Sequence, residues 1–127
     1  MITIIAGSRG ISDLNLVEEA IKESGFDITE VVSGGARGVD FLGESWATEN
    51  HIPIKRFPAD WEKYGRRAGA IRNELMGDYA EALIAVILNN SRGSEHMVRV
   101  ANHRELKVFV KRIFLRDQVQ NILDFIE

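Results

Sequence analysis

The chain has 127 residues, 45% hydrophobic and 28% charged, with a formal net charge of −3 and no cysteine. That length suits one domain with its own core, and the missing cysteines exclude a disulfide framework and a thiolate zinc site. The acidic balance argues against non-specific nucleic-acid coating, which rests on basic excess, and no run approaches the roughly 18 apolar residues of a membrane helix.

Short β-branched runs alternate with longer amphipathic ones. Ile2 to Ala6 has the pattern of a buried strand, and no basic flank precedes it as a secretory signal requires, so cytoplasmic residence is expected. A helix follows from about Asp13 to Ser24, with Leu16, Val17, Ala20 and Ile21 on one face, Ser12 or Asp13 as its cap and Gly25 as its close. Ile28 to Ser33 is the second strand and roughly Val39 to Asn50 the second helix. Ile52 to Phe57 is a shorter strand, with Pro53 tolerated near its start. A connection from Pro58 to Gly65 leads to a helix from about Ala68 to Asp78, and Ala82 to Leu88 is the most hydrophobic strand. A helix from near Ser94 to His103, a strand from Lys107 to Val110 and a closing helix over about 115–126 complete the chain. Five strands alternating with helices predict a doubly wound α/β domain: a mainly parallel sheet with helices on both faces. Nothing in the composition marks a second domain or a linker, so residues 1–127 are read as one domain.

In an open parallel sheet, ligands bind beyond the carboxyl ends of the strands. Four strand-to-helix turns can be read there. They are Gly7-Ser8-Arg9-Gly10, Ser33-Gly34-Gly35-Ala36-Arg37-Gly38, the segment ending Gly65-Arg66-Arg67-Ala68-Gly69, and Asn89-Asn90-Ser91-Arg92-Gly93-Ser94. Each combines glycine with arginine, and together they hold eight of the eleven glycines. Glycine lets backbone N–H groups approach an oxygen, and a following helix adds unsatisfied N–H groups and the positive end of its dipole. Arginines outnumber lysines eleven to five, and the guanidinium fork suits phosphate. Expected ligand contacts are therefore the hydroxyls of Ser8, Ser33, Ser91 and Ser94, the backbone of Gly7, Gly34, Gly35, Ala36, Gly38 and Gly93, and the charges of Arg9, Arg37, Arg72 and Arg92. The ligand expected is small and phosphorylated.

Other residues read two ways. Asp40 either complements its helix dipole or an arginine, or contacts a ribose or base. Trp61 either anchors its loop on the core or stacks on a base. Glu74 and Asp78 share a helix face and balance Arg66 or Arg67, while Arg99, Arg104 and Arg112 read as solvated charges. There is no GxGxxG, no GK[ST] and no GxSxG, so classical NAD binding, a P-loop ATPase and a nucleophile elbow are not expected. His51, His96 and His103 lack metal-ligand spacing, and no metal is expected.

Taken together, GSRG, SGGARGVD, ADWEKYGRRAGAIRNELM and NNSRGSEHMV resemble the SLOG superfamily of Rossmann-like domains, in particular its YspA/YpsA-related group. The likeness runs in order from residue 2 to about 110. It implies a Rossmann-like sheet and a nucleotide or nucleotide-derived ligand at the four turns, including Asn73 beside Arg72, with sensing or sequestering rather than chemistry as the leading role. The LOG phosphoribohydrolases, which cleave the N-glycosidic bond of nucleoside 5′-monophosphates, are a second relative. Ala70-Ile71-Arg72-Asn73-Glu74 resembles their arginine-lysine helix with Asn73 in place of the lysine, and His96 stands where their catalytic glutamate is expected. Glu95 is one residue away, about 100° around a helix. On that alternative the catalytic candidates are Arg72, His96, Glu95 and Asp40. The DNA-uptake protein DprA carries a loop similar to SGGARGVD and binds single-stranded DNA; this chain lacks its extra domains and is acidic, so nucleic acid is not the expected partner. Related domains commonly dimerise. The apolar stripe Leu115, Val119, Ile122 and Ile126 covers the sheet or forms a seam of an expected homo-oligomer.

Overall fold

The computed structural model describes residues 1–89 and 91–114; Asn90 and the expected closing helix over 115–126 lie outside the described residues. Five strands, β1 (Ile2–Gly7), β2 (Glu30–Ser33), β3 (Ile54–Arg56), β4 (Ala82–Leu88) and β5 (Lys107–Ile113), form one sheet in the order β3-β2-β1-β4-β5. Every pairing is parallel.

Helices α1 (Leu14–Ser24) and α2 (Val39–Glu49) cover one face, and α4 (Ala68–Tyr79) and α5 (Arg92–His103) cover the other. The strands divide by parity. Ile5, Val31, Ile84 and Val86 pack under α1 and α2, while Ile4, Val32, Leu83, Ala85 and Ile87 face α4 and α5. Successive side chains of a strand point to opposite faces, so a sheet buried on both sides calls for strands apolar at nearly every position. ALIAVIL is apolar throughout, and ITIIA but for Thr3, whose buried hydroxyl donates to the Met1 carbonyl at 3.3 Å.

The expected ends moved in places. Asp13 caps α1, accepting from the Asn15 amide at 2.9 Å, and Gly25 closes it at φ 69°. β2 and β3 are shorter than the apolar runs containing them. Within the Pro58–Gly65 connection stands a one-turn helix, α3 (Trp61–Tyr64), capped by Asp60, whose side chain accepts from the Lys63 amide; a single 3₁₀ turn, Gly65–Arg67, joins it to α4. Helix α5 begins at Arg92, so Arg92, Gly93 and Ser94 belong to its first turn rather than to a loop. β5 runs three residues beyond the expected Val110, because Val86, Ile87 and Leu88 of β4 offer it partners as far as Ile113.

From β1 the chain winds outward through β2 to β3, then returns past β1 to lay down β4 and β5. The winding therefore reverses between β1 and β4, although the two strands run parallel. Their carboxyl ends diverge into helices on opposite faces, which opens a crevice at that rim.

Candidate functional site

A cavity of about 500 Å³ occupies this crevice. Three of the four glycine-arginine segments reach it, by unequal means; the one ending at Gly69 does not, and the helix that follows it lines the cavity instead.

The β1 turn forms one wall. A Cβ on Gly7 would overlap the Val86 carbonyl, so glycine is required for the turn to cross β4. Ser8 then rivets the two strands: its amide donates to Val86 O at 3.1 Å, and its hydroxyl accepts from the Leu88 amide at 2.8 Å. Arg9 stands exposed on the cavity wall.

The β2 turn packs on this wall rather than lining the hollow. Gly38 has φ 78°, and a Cβ there would overlap the Ser8 carbonyl and stand 2.6 Å from Arg9 Cα. Ser33 turns inward: its hydroxyl donates to Glu44 Oε2 at 2.7 Å and accepts from the Gly35 amide at 3.1 Å. Of this motif, Ala36 and Asp40 line the cavity. Ser33, Gly34 and Gly38 sit behind the wall, where they hold the turn to its neighbours, while Gly35 and Arg37 are exposed outside it.

Arg72 and Asn73, in the second turn of α4, supply the opposite side. Arg72 Nη1 donates to Gly34 O at 2.8 Å and its Nε to Asn73 Oδ1 at 3.2 Å. Asn73, 5% exposed, turns its Nδ2 toward Gly93 O at 3.3 Å and His96 Nδ1 at 3.0 Å. Ser91, Gly93 and Ser94 complete the rim. The first amides of a helix have no partner within it, and Ser91 makes no side-chain cap to α5. Arg92 points away, exposed. Trp61 lies outside the cavity and is 54% exposed, rather than packed in the core. A Cβ at Gly69 would lie 3.6 Å from Trp61 Cη2 and 3.9 Å from Arg72 Nη2, so the indole and the guanidinium flank one spot.

Two charges dominate the electrostatics. Burial pulls the Arg72 guanidinium below its ordinary value; Asp40 opposes that, and the like charge of Arg9 reinforces it. Burial pushes the Asp40 carboxyl up to about 6, against the Ala36 amide, which donates to its Oδ2 at 3.2 Å, and against the charge of Arg72. Glu44, one helical turn on, pushes it the same way as burial.

Of the four catalytic candidates, Arg72 and Asp40 meet in the cavity. His96 is half-buried behind Asn73. Glu95 faces β5, where Arg112 Nη1 donates to its Oε2 at 2.8 Å and holds the carboxyl below its usual range. Arg112 is thus paired rather than merely solvated, and so is Arg104, which bridges Glu74 and Asp78. Those two acids therefore balance the residue that closes α5 and not Arg66 or Arg67. Gly10, Leu88, Asn89, Met76 and Met97 also line the hollow. Asn89, at φ 56°, carries the one local clue, since asparagine tolerates that conformation. The methionines read as core residues in any sequence pattern.

Among the described residues no helix is long and apolar enough to cross a membrane, and no group of three or more His, Asp or Glu is placed to hold a metal.

An all-parallel sheet in this order, with a cationic cavity over its switch point, defines a Rossmann-like α/β protein. The profile of the YspA, cpYpsA-related SLOG family (YAcAr) matches residues 1–64, and the chain belongs to that family. It is also 32% identical over 115 residues to the Gene 61 protein of Mycobacterium phage D29, a match covering 83% of this chain and 91% of that protein. No solved structure matches.

Proposed function

We propose that the switch-point cavity binds a nucleotide or nucleotide-derived phosphate ligand and that the protein acts as a sensor or sequestering module. The observation that carries this reading is the pair Arg9 and Arg72, which repel one another across a hollow of about 500 Å³ rimmed by the first turn of α5. An anion relieves that repulsion and meets the helix amides together. The volume falls within the range of small-molecule sites. In this reading the phosphate sits between Arg9, Arg72 and the amides of Gly93 and Ser94. The base leaves past Gly69 onto the exposed face of Trp61, and Arg37 and Arg92 add charge from outside the wall.

The contact between Asn73 and His96 favours binding without chemistry. These are two of the positions where the chain departs from the phosphoribohydrolase pattern, and they bond to one another; the neighbouring Glu95 is engaged by Arg112. Titration with AMP by calorimetry tests the proposal. Arg9→Ala, at an exposed position, is expected to weaken binding about 10- to 100-fold, the value of a charge-assisted hydrogen bond. Absence of binding by AMP, CMP and GMP would remove this reading.

One observation favours an enzyme: the Asp40 carboxyl, at about 6, is suited to general acid–base work. Release of free base and ribose 5-phosphate from a nucleoside monophosphate, lost in Asp40→Asn and Arg72→Ala, would replace the sensor with a phosphoribohydrolase.

A further inference from the structure

Asn73 is enclosed by groups whose hydrogen-bonding roles are not adjustable. The Arg72 guanidinium only donates, so the Asn73 atom facing its Nε is the carbonyl oxygen. The Gly93 carbonyl only accepts, so the atom facing it is the amide nitrogen. These two contacts settle the orientation of the side-chain amide independently of His96. The same nitrogen lies 3.0 Å from His96 Nδ1, which must therefore accept, leaving the ring hydrogen on Nε2.

We infer that His96 is a positioning residue for the anion site: as an unprotonated acceptor it fixes Asn73, and through it the Arg72 guanidinium and the first turn of α5. The inference rests on the anion-binding reading above. A ring protonated on both nitrogens sets N–H against N–H₂ at this contact. Asn73 cannot turn over in response, because its nitrogen would then face the guanidinium and its oxygen the Gly93 carbonyl. Protonation therefore loosens the joint between α4 and α5 that holds Arg72 toward the cavity.

Among the described residues, no carboxylate is paired with His96. On α4, Arg72 lies beyond Asn73, while Glu74 and Asp78 are engaged by Arg104. On β5, Arg112 is held by Glu95, and Lys111 by Glu19 and Glu23 of α1; Lys107 stands at the far end of that strand. β4 and β1 carry no titratable side chain. Arg92 and Arg99 share α5 with the ring.

Asparagine at position 96 presents an acceptor where Nδ1 stands but takes up no proton. AMP affinity of the wild type and His96→Asn, measured at about pH 7.5 and 5.5, isolates the effect. Titration of the phosphate and of Asp40 is common to both proteins and cancels in their ratio. Near-equal affinities are expected at the higher pH and a wild type weaker by about 3- to 10-fold at the lower. His96→Leu is expected to be weaker at both. A ratio that stays at one while both proteins bind AMP overturns the inference. The side-chain amide signals of Asn73 in ¹⁵N spectra without ligand are a second readout: movement with acid in the wild type but not in His96→Asn supports the joint, and stationary signals refute it. Moving signals with no AMP binding at either pH would uphold the joint and remove the nucleotide.

Discussion

Asp40 lies in the first turn of α2, 6% exposed, with its carboxyl raised from 3.8 to about 6. Desolvation outweighs the Ala36 amide and Arg72, so the fold favours the protonated form. The sign follows: this stabilisation is fully present below about 3.8 and is lost as the pH climbs through about 6. The loss is on the order of 2–3 kcal/mol. Asp40→Asn is therefore expected to unfold at higher urea than the wild type at pH 8 and to show no advantage at pH 4. The glycines of the β2 turn give a second residue-scale contrast. Gly35 is at φ 75° with nothing near its would-be Cβ, so Gly35→Ala carries only the left-handed cost of about 1–2 kcal/mol. Gly38→Ala adds overlap with the Ser8 carbonyl, which is backbone and cannot give way. Its melting temperature is expected to fall well below that of Gly35→Ala.

For whole elements, close approach competes with helix propensity. Gly43 sits mid-α2, where alanine would favour the helix by about 1 kcal/mol. Its Cβ, however, would meet Ile5 Cγ2 at 2.7 Å and Cβ at 2.9 Å on β1. Overpacking costs about 1–3 kcal/mol, so Gly43→Ala is expected to destabilise in urea, the net loss showing that contact with the sheet outweighs propensity. The legibility of each element followed the same logic. α1 could be read to its caps because Asp13 and Gly25 act locally. α3 escaped because four residues carry no periodicity; only Asp60, three before Lys63, hinted at a capped turn. Helix α5 starts before its apolar face does, and so its opening turn read as loop.

Across the molecule, a net charge of −3 coexists with a cavity walled by Arg9 and Arg72. A small anion samples the local field, whereas a polyanion also meets the acidic remainder. Fluorescence anisotropy in about 0.15 M salt is accordingly expected to show AMP displacing a labelled nucleotide while a single-stranded oligonucleotide does not bind. Tight, steeply salt-dependent oligonucleotide binding would make the DprA-like alternative the better account.

The strand-helix alternation, the two-sided burial of β1 and β4, and the edge on which the glycine-arginine turns fall are all legible in the order of the residues. Periodicity, capping and turn chemistry act over a few residues and are written locally. Which of those turns' side chains face the hollow follows instead from how the elements pack. Ser8 bonds Leu88, eighty positions along the chain, and Ser33 turns to Glu44. Asn73 meets His96, and Arg112 takes Glu95 from the site. The first of these depends on β4 lying beside β1 and the others on which helices and strands pack together, and no local pattern encodes those adjacencies.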